Sequence, residues 1–358
     1  MDNKVIVVTG ISGSGSKDFC SKYESETGKK TKVYNTGDLV YRLSQNYPQE
    51  PVIPRENILN QPPKNLEKIQ NDAFRLIRDH IDAHRADYDR FVIDTHTQFY
   101  WEGAIVNAYS WKHLAEINPD IFVTLIDQPR NIKDKQILTP EGRKQDHDLG
   151  DLELWQNIEV NTTEILASVI GKPSYVLPST QSPMTVDSLI DNSFLIYLQM
   201  PITECTEEQN QEITAFKNMI LEYGKQAHGM PIPIIDPRDN DMYMGPYKDD
   251  RERKIARQQT NHRDLNWFIR NATHLIAYYP VGSNISAGVT VETVTGHFTG
   301  KDAFVVYQKE NPSPFFDLSS GLYLDSDSFM EMFKPHLEQR LSEYDRKNID
   351  VEKLHVRL

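Results

Sequence analysis

The stretch Lys4-Val-Ile-Val-Val-Thr-Gly10-Ile-Ser-Gly-Ser-Gly15-Ser-Lys17-Asp18 decides the fold of the first half of the chain. Lys4–Thr9 is a β-branched apolar run closed by Gly10, the signature of a strand buried on both faces of a parallel sheet. A Gly/Ser loop follows, and a helix is expected over Lys17–Thr27. Strand, glycine loop, helix is the context in which backbone N–H groups and a helix N-terminus cradle phosphate. The phosphate-loop pattern is G-x-x-x-x-G-K-[ST]. Gly10 and Gly15 match it, but Ser16 stands in the lysine position and Lys17 in the Ser/Thr position. A shift of one residue turns a helical side chain by about 100°, so Lys17 is not expected to replace the missing lysine. The candidate phosphate-binding residues are Gly10, Ser12, Gly13, Gly15, Ser16 and Lys17. A Gly/Ser turn without a ligand remains the plain alternative.

Outward from this loop, strands and helices alternate. Strands are expected at Lys32–Asn35, Phe91–Ile93, Ile121–Ile126 and Ser174–Leu177, and a helix over Glu153–Ile170. Another is expected over Asn65–His84, where Leu66, Ile69, Ala73, Leu76, Ile77 and Ile81 repeat at helical spacing. Pro178–Asn192 is polar and rich in Pro and Ser, and marks a boundary in which Val186–Ile190 reads as a closing helical turn. The alternation then restarts. Strands are expected at Phe194–Leu198, Ile232–Ile235, Leu275–Tyr279 and Ala303–Tyr307. Helices are expected at Glu207–Tyr223, Asp249–Asn271, Ser286–Phe298 and Ser328–Tyr344, with a Pro/Asp/Gly-rich loop at Asp236–Pro246. The fold class is therefore α/β, with two parallel-sheet, three-layer domains at 1–180 and 193–358.

The 358 residues include 52 acidic and 39 basic ones, a net charge of −13 that repels a nucleic-acid backbone. The densest basic stretch, Lys248–Arg263, has Asp249, Asp250 and Glu252 interleaved, as a solvated helix face does. No run approaches a membrane span of roughly 18 apolar residues, and the N-terminus does not read as a signal peptide. Cys20 and Cys205 form no disulfide or metal pattern, which points to a reducing cytoplasm. His228, His262, His274 and His297 show no metal-ligand spacing, so no metal is expected.

Further motifs lie in the first half: V-V-T-G at Val7–Gly10, N-T-G-D at Asn35–Asp38 and P-P-K-N-L-E-K-I-Q at Pro62–Gln70. V-I-D-T-H at Val92–His96 and I-N-P-D at Ile117–Asp120 follow. In order and spacing this set resembles the archaeal-type adenylate kinase family over about residues 3–178. The resemblance implies a P-loop kinase-like fold, with Asp94 and His96 near the phosphates and Asp38 near the acceptor. It makes ATP with Mg²⁺ the one candidate cofactor of this domain. Arg130–Asp148, where the family carries an arginine-rich lid, offers only Arg130 and Arg143.

In the second half, the loop and helix start after strand Leu275–Tyr279 read S-A-G-V-T-V-E at Ser286–Glu292. In a parallel sheet such a loop lies at the carboxyl end, where ligands bind. Asp264 lies 28 residues before Glu292, and Tyr197 sits in the strand that opens the domain. Two carboxylates and a tyrosine at strand ends can divide acid and nucleophile roles. Gly288 permits close backbone approach, and Trp267 and Phe268 read as core. F-L-I-Y-L at Phe194–Leu198, D-L-N-W-F-I-R-N-A-T-H-L-I-A at Asp264–Ala277 and the S-A-G-V-T-V-E segment together resemble the nucleoside 2-deoxyribosyltransferase superfamily. That superfamily includes a 2′-deoxynucleoside 5′-monophosphate N-glycosidase branch. The resemblance covers roughly 193–308 and implies a flavodoxin/Rossmann-like domain without a cofactor. It makes Glu292 the nucleophile, Asp264 the second carboxylate and Tyr197 the group that holds Glu292. Ser286, six residues before the Glu, matches the monophosphate hydrolases. Gln199-Met-Pro-Ile-Thr203 departs from their Gly-Ser…Arg phosphate turn.

The expected function is cleavage or transfer at the N-glycosidic bond of a (2-deoxy)nucleoside 5′-monophosphate, alongside a nucleotide-binding kinase-like domain. The alternatives are a nucleoside monophosphate kinase and an inactive nucleotide sensor. The expected partners are a small-molecule nucleoside or nucleotide and, by the resemblance, a second copy of the chain, with no nucleic acid and no membrane.

Overall fold

The computed structural model describes residues 3–46, 53–192, 194–240, 247–309 and 312–346. Residues 241–246 of the expected Pro/Asp/Gly loop lie outside this set. The chain forms two compact units. The first comprises Met1–Val186 with Asp239–Arg263, the second Asp187–Arg238 with Asp264–Leu358. Both are α/β with a five-stranded, all-parallel sheet.

In the first unit the strands are β1 (Lys4–Thr9), β2 (Thr31–Asn35), β3 (Arg90–Thr95), β4 (Gln98–Trp101), β5 (Ala104–Asn107), β6 (Ile121–Ile126) and β7 (Ser174–Pro178). The sheet order is β2-β3-β1-β6-β7, and β4 and β5 form a separate antiparallel hairpin. β1 and β6 are mostly apolar because they lie inside the sheet and are covered on both faces. Val5, Val7, Phe91, Ile93 and Phe122 pack against Phe74, Ile77 and Ile81 of helix Pro63–His84 and Leu166 of helix Leu149–Val169.

The helix Asp250–His262 belongs to this first unit, although the sequence places it within the second domain. The reason lies in its partners. Arg251 pairs with Asp148 at the start of helix Leu149–Val169, and Arg130 donates from Nε and Nη2 to Glu252 Oε1. The single helix expected over Asp249–Asn271 is in fact interrupted by a π-helical segment, Arg263–Phe268.

The strands of the second unit are β8 (Ile196–Gln199), β9 (Ile234–Ile235), β10 (His274–Tyr279), β11 (Asp302–Tyr307) and β12 (Gly321–Tyr323), in the order β12-β11-β10-β8-β9. Numbered within the unit this is 2-1-3-4-5, the flavodoxin-like order, whose ligand crevice opens where the first and third strands adjoin. Side chains alternate across a strand. Ile196, Leu198, Ile276, Tyr278, Phe304 and Val306 therefore pack one way, onto Phe216, Phe329 and Phe333. Ala277, Tyr279, Val305 and Tyr307 pack the other way, with Val289 and Phe316. Tyr197 and Gln199 share this second face, because they pair in register with Leu275 and Ala277. No helix among the described residues is long and apolar enough to cross a membrane.

Candidate functional site

The second unit brings two expected residues into direct contact. The Tyr197 hydroxyl, in a side chain 1% exposed, donates to Glu292 Oε1 at 3.1 Å. Glu292 is half-buried in helix Ala287–Phe298, which covers the Tyr197 face of the sheet next to the junction of β8 and β10. One residue further on, Thr293 bonds Gln199 Oε1 at 3.1 Å. Gln199 is wholly buried, and its Nε2 has no hydrogen-bond partner. The Tyr279 hydroxyl is buried near Thr290, the Ser286 backbone and Glu292. Burial, with the nearby Glu292 charge adding to it, pushes this phenol well above its ordinary value. Glu292 thus has a phenol donor beneath it and a second phenol close by.

Ser286 caps the helix, its hydroxyl facing the Val289 N–H at 3.5 Å. Gly288 is exposed; a Cβ there would meet only Ser286 Oγ, at 3.7 Å, so no neighbouring protein atom demands a glycine. Asp264 is 7% exposed and sits in the π-helical segment. Such segments widen the helix by a residue and recur at functional sites. Phe268, in the same segment, packs on Tyr197 with ring centroids 5.7 Å apart, so the element carrying Asp264 is docked on the tyrosine that holds Glu292. Trp267 and Phe268 are both core. Sequence reasoning did not single out Asp236, which is buried after β9 and clamped by Lys217 (2.7 Å) and Arg238 (2.6 Å). Burial works to raise its carboxyl, but these two cations outweigh it and hold it below the usual range.

In the first unit, Gly13 and Gly15 adopt φ of 90° and 95°, the left-handed region glycine enters without penalty. They carry the loop from β1 into helix Ser16–Glu26. Ser14 Oγ is buried in the loop without a partner. Ser16 bonds Asp94, which also receives Asn35 Nδ2 at 2.6 Å; burial raises the Asp94 carboxyl despite these bonds. Lys17 is turned to Asp38 (3.4 Å), which Arg55 also holds at 2.7 Å. Burial opposes ionisation of Asp38, and the two cations more than offset it, leaving its pKa lowered. His96 bonds the Gly10 carbonyl through Nδ1, and burial lowers its pKa. Its turn is fixed by the buried Glu159, which accepts from Thr97 N at 2.8 Å and Gln98 N at 3.0 Å. Ser12, Lys17, Tyr41, Arg55, His96 and Tyr100 line a cleft of ≈ 590 Å³.

Two features bear on phosphate chemistry. Lys135, paired with Asp127 at 2.7 Å, places Nζ 3.6 Å from where a Cβ on Gly15 would stand. A lysine from another helix thus lies beside the loop whose own lysine is absent, and only folding could reveal it. The lid arginines are engaged by protein groups. Arg130 is held by Glu252, and Arg143 by the carbonyls of Ile137 and Leu138 at 3.1 and 3.3 Å.

Comparison with known proteins agrees with this geometry in the first unit. Residues 9–152 match the AAA domain family model AAA_17. An adenylate kinase from Methanocaldococcus jannaschii is 30% identical over 127 residues, 34% of this chain and 62% of that kinase's length. A crystal structure of an uncharacterized protein from Eubacterium ventriosum ATCC 27560 aligns with 52% of this chain and 96% of its own. Its identity is 12% and its TM-score 0.29, too loose a likeness to speak for fold or function. The first unit thus has a P-loop kinase-like fold, and part of it is similar in sequence to a nucleotide kinase.

Proposed function

We propose that the second unit breaks the N-glycosidic bond of a (2-deoxy)nucleoside 5′-monophosphate through Glu292, and that the first unit binds a nucleotide. The observation that carries this reading is the Tyr197–Glu292 hydrogen bond beside the β8–β10 junction. Glu292 attacks the anomeric carbon as the carbon–nitrogen bond to the base breaks, forming a glycosyl ester. Asp264 gives the departing base a proton. Water, or a second base, then attacks the anomeric carbon and frees the Glu292 carboxylate, and Asp264 takes up the proton released. The phenol of Tyr197 keeps the carboxylate aimed, in the way a buried donor orients a charged acceptor.

For the first unit, binding without phosphoryl transfer is the reading favoured over a working kinase. Ser16 replaces the loop lysine, and Arg130, a lid cation that a transferring phosphate calls for, is tied to Glu252. The test is chromatography of free bases after incubation with a panel of nucleotides and nucleosides. Wild type should release base and Glu292→Ala should not. Equal release by both would refute the assignment, and ADP made from ATP and a nucleoside monophosphate would restore the kinase.

A further inference from the structure

At the amino end of the second sheet three ligating side chains meet. His274 opens β10 and Asp302 opens β11, side by side in register. His336 comes from helix Ser326–Arg346. Their Nε2, Oδ2 and Nε2 atoms are mutually close: His274 to His336 3.0 Å, His274 to Asp302 3.5 Å, His336 to Asp302 3.7 Å. A point equidistant from all three lies about 2.0 Å from each, the bond length zinc makes to imidazole and carboxylate. We infer that this trio is a binding site for a divalent transition ion of the zinc class.

The surroundings hold the ligands as a metal requires. Thr273 Oγ1 donates to the Leu195 carbonyl at 3.0 Å and accepts from Leu195 N at 3.0 Å. His274 Nδ1, 2.9 Å away, is left to donate to Thr273, which presents the Nε2 lone pair to the site. An outer hydrogen bond of this kind fixes the tautomer of a metal-bound histidine. Phe194 stacks on His274 at 4.2 Å, and Phe304 meets His336 edge-on at 5.1 Å, so neither ring plane turns freely. Without metal, His336 Nε2–H donates to His274. On binding, that proton moves to Nδ1 and no net proton leaves. Asp302 and His336 are about a quarter exposed, so the fourth position opens to solvent for a water. The charges facing the trio are cationic: Arg340 Nη2 contacts Asp302 Oδ2 at 2.6 Å, and Lys301 bonds the Arg270 carbonyl beside it. The ion therefore competes with Arg340 for Asp302. At the amino end of the strands the ion would tie helix Ser326–Arg346 to β10 and β11.

The test is titration of the full, metal-stripped chain with Zn²⁺ against a chelating dye, and with Co²⁺ for the absorption of a four-coordinate ion. One ion per chain should bind. His336→Gln, on the helix surface, and Asp302→Asn should each weaken binding by about tenfold or more, and Arg340→Ala should tighten it. His84→Gln, at the other close histidine pair (His80 and His84, rings 4.0 Å apart), should change nothing. Failure of the wild-type chain to bind, or unchanged affinity in both His336→Gln and Asp302→Asn, overturns the inference.

Discussion

Glu292 has a donor under it, and removing that donor alone is the cleanest probe of its work. Tyr197→Phe deletes one hydroxyl from a side chain whose ring stays packed on Phe268. A hydrogen bond to a charged group is worth about 1.5–3 kcal/mol. Base release should therefore fall by roughly ten- to a hundredfold in kcat, with KM little changed and circular dichroism unchanged. A second residue-scale prediction concerns Glu153, whose carboxyl burial pushes up to about 7. Its charged form is disfavoured in the fold. The loss is absent below the unfolded value near 4.5, grows as pH rises, and is complete above about 7. Glu153→Gln should raise the melting temperature at pH 8 and leave it nearly unchanged at pH 4.5. Equal shifts at both pH values would mean the carboxylate is not destabilising. At this scale the contact between Tyr197 and Glu292 was anticipated through the resemblance of their segments to the nucleoside 2-deoxyribosyltransferase superfamily. The sequence was silent on Lys135, on Glu159 and on the Lys217 hold on Asp236, whose partners lie 8, 62 and 19 residues away along the chain and are set by folding.

At the scale of elements, what could be read in advance follows burial. β1, β3, β6, β10 and β11 are covered on both faces and appear as short apolar runs. The hairpin β4–β5 has no such pattern because β5 is largely exposed, and β12 is three residues long. Helix Asp250–His262 was recognisable as a helix, but its membership was not. Arg130 and Asp148, which tie it to the first unit, lie more than a hundred residues earlier. Breaking one partner of a buried ion pair is destabilising, and partial exposure of Arg130 reduces the effect. Glu252→Ala should lower stability in urea by about 1–2 kcal/mol, more than Arg253→Ala, whose Asp250 partner is almost wholly exposed. Equal losses would show that the Glu252–Arg130 pair does not secure this helix.

At the scale of the molecule, the proposed reading assigns nucleotide binding to the first sheet and glycosidic cleavage to the second, and each should be removable alone. Gly13 has φ 90°, and a Cβ there would press to 3.0 Å from the Ile132 carbonyl. Gly13→Ala should abolish the thermal shift given by ATP or ADP while base release persists. Glu292→Gln should do the reverse. Loss of both properties in Gly13→Ala, with the fold intact, would mean that nucleotide binding in the first unit controls the second. The two α/β domains were legible from alternation alone. That the helix Asp250–His262 belongs to the first unit was not, because nothing local in Asp239–Arg263 distinguishes one owner from the other.

The central claim is that Glu292 forms a bond to the sugar, and acid-quenching a reaction with a 2′-deoxynucleoside 5′-monophosphate tests it most directly. After digestion, mass spectrometry should find the peptide containing Glu292 heavier by one phosphodeoxyribosyl group, and Glu292→Gln should lack the adduct. Base release with that peptide unmodified at every quench time, or with the adduct on a different carboxylate, would contradict the account.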